Sequence, residues 1–154
     1  MGRRVLVVGG GGREHALCLA LHESASISEI HTTPGNAGTR HYGRNHDVSA
    51  SDIDGLVELT KHLEVDFVVV GPEAPLCEGL ADRLIENGVP CFGPQQMHAE
   101  LEGSKLFAKK AMDAAGVPTA EYDVIDAKTD IQACLDARSQ DPWVLKRDVL
   151  AGGK

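Results

Sequence analysis

Val5-Leu6-Val7-Val8-Gly9-Gly10-Gly11-Gly12-Arg13-Glu14-His15-Ala16 decides the fold. Four consecutive branched aliphatic residues without polar alternation predict a strand buried on both faces, as in a parallel sheet. The glycines then predict a tight turn, and the residues after them a helix. Glycine suits such a turn because it reaches positive φ cheaply and lets a ligand approach the backbone. The first amides of a helix have no acceptor within it and carry partial positive charge, so the turn suits an anion, and phosphate above all.

The turn departs from the dinucleotide fingerprint in an informative way. Gly9-Gly10-Gly11 supplies G-x-G, but Glu14 occupies the third glycine position. That glycine allows close helix–strand packing in dinucleotide folds. An acidic side chain there argues against a pyrophosphate lying along the helix. Arg13 and His15 instead offer cationic or donor groups suited to a single phosphate or a polar substrate. A nicotinamide oxidoreductase is disfavoured further by the second strand, which ends in Thr32-Thr33-Pro34 without the acidic ribose ligand.

Outward from this turn the chain repeats strand, loop, helix. Arg13 to Glu23 is predicted helical, with Ala16, Leu17, Ala20 and Leu21 at helical spacing. Ile27 to Thr33 is a predicted strand leading into Pro34-Gly35-Asn36-Ala37-Gly38-Thr39, a run incompatible with regular structure. His41, Arg44 and His46 follow closely, at a spacing that fits no recognised metal site. Ser51-x-x-Asp54 resembles a capping box opening a helix with Leu56, Val57, Leu59 and Leu63. Val65 to Val70 predicts a strand ending in Gly71-Pro72-Glu73-Ala74-Pro75, where the stiff turn holds the Glu73 carboxylate for an amine or hydroxyl. Leu76 to Asn87 predicts one helix stopped by Gly88, and Val89 to Phe92 a short strand. Parallel strands place such loops on one rim of a sheet, so the loops at Gly11–His15, Pro34–Thr39 and Gly71–Pro75 are expected to converge.

Composition sets the outer limits. Hydrophobic residues make up 42% of the 154, enough for a core, and aromatics only 4%, so that core is aliphatic. A net charge of −8 makes nucleic acid and anionic membrane unsuitable partners. Cys18, Cys77, Cys91 and Cys134 form no C-x-x-C pair and sit among apolar residues, as buried free thiols do. The chain contains no long apolar span and no signal-peptide pattern, so the expected location is cytoplasmic.

A boundary is expected near Gly103. Ser104 predicts an N-cap for a helix through Leu106, Phe107, Lys110, Ala111 and Ala114, stopped by Gly116-Val117-Pro118. Glu121 to Ile125 predicts a strand, Asp130 to Arg138 a helix and Trp143 to Lys146 another strand. Two strands and one helix do not make a core, so residues 119–154 are expected to be incomplete as a domain. An unpaired strand near Trp143 would offer a route to self-association.

Four motifs in order carry a family resemblance: Val-Leu-Val-Val-Gly-x-Gly-Gly-Arg-Glu-His-Ala, Pro-Gly-Asn-Ala-Gly-Thr, Gly-Pro-Glu-Ala-Pro-Leu and Leu-Glu-Gly-Ser-Lys. Together they closely resemble glycinamide ribonucleotide synthetase, an ATP-grasp ligase of purine biosynthesis. The resemblance implies an α/β chain: a Rossmann-like open parallel sheet over 1–103, a linker helix over 104–118, and the start of an ATP-grasp lobe over 119–154. It implies ATP-dependent joining of glycine to 5-phosphoribosylamine by a protein that is a monomer when complete.

The resemblance also implies roles. Gly11, Gly12, Arg13, Glu14, His15, Pro34, Gly35, Asn36, Ala37, Gly38, Thr39, Gly71, Pro72, Glu73, Ala74 and Pro75 would hold phosphoribosylamine. Lys105 and Lys146 look like ATP-phosphate lysines, and Gly152, Gly153 and Lys154 like the start of a glycine-rich lid. Arg147 and Val149 stand where the family has small residues. The family's Mg²⁺ ligands lie beyond residue 154, so the chain alone is expected to bind sugar phosphate without completing the reaction. The competing expectation is a noncatalytic module that senses sugar phosphate or nucleotide.

Overall fold

The computed structural model describes residues 2–137 and 142–150. They form two compact units, 1–100 and 101–154. The first is an α/β sandwich around a five-stranded sheet with strands β1 (Arg3–Gly9), β2 (Ile27–Pro34), β3 (Arg44–Asn45), β4 (Phe67–Val70) and β5 (Cys91–Phe92). Every pairing is parallel, and the order is β3-β2-β1-β4-β5.

β1 is central, which explains its unbroken apolar run. Alternate residues point to opposite faces of a strand. Leu6 and Val8 pack with Leu56, Val57, Leu80 and Leu84 from α2 (Ile53–Leu63) and α4 (Leu80–Glu86), reached through the short α3 (Ala74–Cys77). Val5 and Val7 pack on the other face with Cys18, Leu17 and Leu21 of α1 (Gly12–His22). Both faces are thus covered, the condition under which parallel sheets are stable. Cys18 is buried, Cys77, Cys91 and Cys134 are partly so, and all four are free thiols. Among the described residues no helix is long and apolar enough to cross a membrane.

Local expectations fail where another group decides. The cap of α2 is Asp52, not Ser51: its carboxylate accepts from the Gly55 amide at 2.9 Å, while Ser51 pairs with Ser49. The single helix expected over Leu76–Asn87 is two, α3 and α4, parted by Gly79 at φ +87°. The Gln96 amide group donates to the Cys77 carbonyl at that break. Gly88, at φ +75°, ends α4 as expected. β3 carries no strand signal at two residues long, and it is held by pairing with β2. α5 (Gln96–Gly103) also lacks a local start signal; the Asp82 carboxylate, from α4, accepts the Gln96 amide at 2.8 Å and serves as its cap.

The second unit contains α6 (Lys105–Ala115) and α7 (Ile131–Ala137). Ser104 caps α6 as expected, accepting from the Phe107 amide at 3.0 Å, and Gly116 closes it in the left-handed conformation. Neither expected strand forms: residues 121–125 and 143–146 have no ladder partner among the described residues. A strand is stabilised by its neighbours rather than by its own residues. Val124, Trp143 and Val144 are accordingly exposed.

Candidate functional site

The order of the sheet reverses at β1, with β2 and β3 on one side and β4 and β5 on the other. At such a switch point the loops leaving neighbouring strands diverge and open a crevice at their carboxyl ends. The three glycine-containing loops leave β1, β2 and β4, so they meet there.

Direct contacts join the first two loops. The Gly35 amide donates to the Gly9 carbonyl at 3.1 Å, and the Asn36 side-chain amide lies 3.0 Å from the carbonyls of both Gly10 and Gly11. The His15 imidazole lies against Gly38 and 5.6 Å from the Tyr42 ring, centroid to centroid. Asn36 also tightens its own loop, its Oδ1 accepting from the amides of Gly38 at 2.7 Å and Thr39 at 3.1 Å. Pro34 and Ala37 are exposed on this loop, whereas Thr39 is fully buried and serves as its knot.

The third loop is drawn in by Arg13 and Glu14. Arg13 Nη1 donates to the Gly71 carbonyl at 2.7 Å. Glu14 is only 5% exposed, and its Oε2 accepts from the Gly11 amide at 2.5 Å. Its side chain fills the space beside Gly9 and Gly71. Gly9, at φ +125°, needs glycine twice over: an L side chain rarely adopts that conformation, and its Cβ would strike Glu14. The carboxylate thus occupies the place where a dinucleotide fold packs its helix closely, as its chemistry suggested. Pro72 and Glu73 are half-buried and Ala74 exposed, and Pro75 is buried at the start of α3.

Gly11 spends its amide on the Glu14 carboxylate, which leaves Gly12, Arg13 and Glu14 as the helix-start amides without an intrahelical acceptor. A Cβ at Gly12 would meet nothing within 4 Å. The result is open space at a helix start, close to Arg13, His15 and Asn36. Sequence reasoning missed Asn45, whose side chain sits beneath Gly35; the only local signal was an asparagine between Arg44 and His46. It also placed His46 in a cluster with His41 and Arg44, whereas the His46 ring pairs with buried His31 at 3.0 Å. Among the described residues no group of three or more His, Cys, Asp or Glu side chains suits a metal ion.

In the second unit Lys105 opens α6 and its ammonium donates to the Val149 carbonyl at 2.7 Å. Asp148 accepts from the Leu106 amide at 3.1 Å and from the Ser104 hydroxyl at 3.0 Å. The Leu106 amide bond is the main reason its carboxyl titrates below the usual carboxylate range. Lys146 is exposed, and Gly152, Gly153 and Lys154 lie outside the described residues.

Comparison with known proteins finds relatives along the length of the chain. Residues 3–102 match the family described as phosphoribosylglycinamide synthetase, N domain, and residues 103–154 match its ATP-grasp (A) domain. The phosphoribosylamine–glycine ligase of Mycobacterium tuberculosis is 46% identical over 155 residues, covering 98% of this chain and 37% of that protein. The Streptomyces coelicolor ligase is 47% identical over 151 residues, covering 98% of this chain and 36% of that protein. The crystal structure of the phosphoribosylamine–glycine ligase of Thermotoga maritima superposes with a TM-score of 0.72 at 34% identity, over 98% of this chain and 34% of that one. That of N5-carboxyaminoimidazole ribonucleotide synthetase from Thermus thermophilus shares the fold, with a TM-score of 0.67 at 21% identity over 86% of this chain and 36% of that one. The chain therefore spans little more than a third of the length of the curated relatives it matches.

Proposed function

The chain belongs to the phosphoribosylglycinamide synthetase family, and from that membership we propose that it carries the 5-phosphoribosylamine site of an ATP-dependent phosphoribosylamine–glycine ligase. The observation that carries this reading is the joining of the β1, β2 and β4 loops at one crevice, with the Gly12 and Arg13 amides open beside it. A phosphate monoester suits that opening, since the helix start supplies donors and positive potential. Glu14 excludes a second phosphate along the strand. Half-buried Glu73 is the carboxylate placed to accept from the amine or a ribose hydroxyl.

In the whole ligase, ATP phosphorylates the glycine carboxylate and leaves as ADP. The nitrogen of phosphoribosylamine then attacks the acyl phosphate carbon, forming the amide and expelling phosphate. Such transfer depends on positioning and charge neutralisation. Lys105 and Lys146, with Gly152, Gly153 and Lys154, are the residues of this chain proposed to contact ATP. Mg²⁺ would neutralise phosphate charge when bound. Among the described residues no group of three or more His, Cys, Asp or Glu side chains gathers to hold it. The proposed location is the cytoplasm, where the small-molecule substrates are made.

Calorimetric titration of the chain with ribose 5-phosphate tests the site. Saturable binding that inorganic phosphate displaces is expected, and the absence of binding overturns the reading. Glycine-dependent ADP formation, measured on a chain extended to the length of the relatives, tests the ligase activity.

A further inference from the structure

Asn45 reaches the crevice only through another residue. Its Nδ2 donates to the Asn36 carbonyl at 2.8 Å, and its Oδ1 lies 2.9 Å from the Thr39 hydroxyl. That hydroxyl accepts from the Asn36 amide at 2.9 Å and has one proton to give, either to Asn45 or to the Asn36 carbonyl. Both backbone polar groups of Asn36 are thus fixed by the Asn45–Thr39 pair. Gly35, at φ +68°, lacks a Cβ where the Asn45 amide group lies, so the asparagine fits directly beneath the loop. Asn45 is itself fixed by β3, where it pairs with Thr32 and where the next amide, His46, donates to the Thr32 carbonyl at 2.8 Å.

The consequence passes through peptide planarity. In a trans peptide the carbonyl and the following N–H point in opposite directions. The Gly11 carbonyl accepts both the His15 amide at 3.2 Å and the Asn36 side-chain amide at 3.0 Å, so Asn36 helps the helix to fix the peptide whose other end is the Gly12 amide. We propose that Asn45 is a positioning residue that orients the Gly12 amide for a phosphate monoester by fixing Asn36. This rests on the sugar-phosphate reading of the crevice.

The test is a double-mutant cycle read by titration with ribose 5-phosphate. Asn45→Ala is expected to weaken binding about tenfold, in keeping with the cost of small misplacements in a prearranged site. In an Asn36→Ala background the same substitution is expected to change affinity no further, because the route is already broken. Should Asn45→Ala fail to fold, Asn45→Asp keeps the size and an acceptor for Thr39 but loses the donor to Asn36, and the same loss is expected. Thr60→Ala is the control, since Thr60 is buried and bonded to Val57 away from the rim. Unchanged affinity in the Asn45 variants, additive losses in the cycle, or an equal loss in Thr60→Ala at matched melting temperature overturns the inference. Failure of the parent chain to bind removes the sugar-phosphate reading, and the inference with it. The amide shift of ligand-free Gly12 gives a separate reading: it moves in Asn45→Asp if Asn45 orients it, and stays fixed if it does not.

Discussion

The Glu14 side chain occupies the space that a Cβ on Gly71 would need. Two loops distant in sequence therefore exclude each other's side chains, and the acid on α1 is matched by a glycine after β4. Gly71→Ala forces the buried carboxylate to leave the Gly11 amide. The expected destabilisation is about 1–3 kcal/mol, as for other overpacked sites. In a Glu14→Ala background the same substitution should cost much less. Denaturant unfolding of the four species measures the coupling, and equal costs in both backgrounds would refute the steric relation.

Gly12 has the opposite surroundings. Open space lies where its Cβ would point. Gly12→Val is therefore expected to leave stability within about 1 kcal/mol of the parent. Ribose 5-phosphate binding should fall below detection by calorimetry, because the isopropyl group stands where the phosphate approaches. A folded variant with parental affinity would place the ligand elsewhere.

The pairing of buried His31 with half-buried His46 gives the chain a dependence on pH. His31 Nε2 lies 3.2 Å from Glu29, so it carries a proton there; its Nδ1 must then accept, and His46 Nε2 donates. Burial is the main cause that lowers both histidines, opposed by Glu29 at His31 and reinforced by Arg44, Arg4 and His62 around the pair. Between the lowered values and the ordinary one, about 6.5, the unfolded chain binds more protons than the folded one. Stability is thus fully present above that range and lost as pH falls through it. Thermal melting should be flat above about pH 7 and decline toward about pH 5.5. His46→Gln, which keeps a donor to His31 but does not titrate, should flatten the decline. An unaltered profile would mean that the pair is not responsible.

Thiol chemistry offers an independent check on packing. Burial, with Asp82 nearby, pushes Cys91 up to about 11, and burial likewise raises Cys18. Near neutral pH the Cys91 thiolate is then a minute fraction, and thiolate is the reactive form. A thiol reagent should label Cys91 and Cys18 slowly in the folded chain and rapidly in denaturant, as mass spectrometry of digests would show. Fast labelling of Cys91 in the folded chain would contradict its surroundings.

Much of the first unit was legible because its signals are local. The Val5–Val8 run, the glycines after it and the apolar spacing of α1 and α2 each specify a conformation within a few residues, and parallel connection rules then bring the loop ends to one rim. Glu14 in place of a glycine was likewise visible as a departure. The start of α5 escaped prediction because its cap, Asp82, comes from another helix. At α2 two neighbouring residues both had the chemistry of a cap. Only the path of the turn brings Asp52, and not Ser51, to the Gly55 amide.

What the sequence determined by itself was the type of unit, the position of its glycine turn and the likeness to a family, since each rests on residues adjacent in the chain. Tertiary structure alone decided that Glu14 and Gly71 share one space, that Asn45 reaches Asn36, and that His46 pairs with His31. It also withheld strands from residues 121–125 and 143–146. The reason is common to all of these: a hydrogen bond or a ladder needs a second group, and the chain's order does not say which groups the fold will bring together.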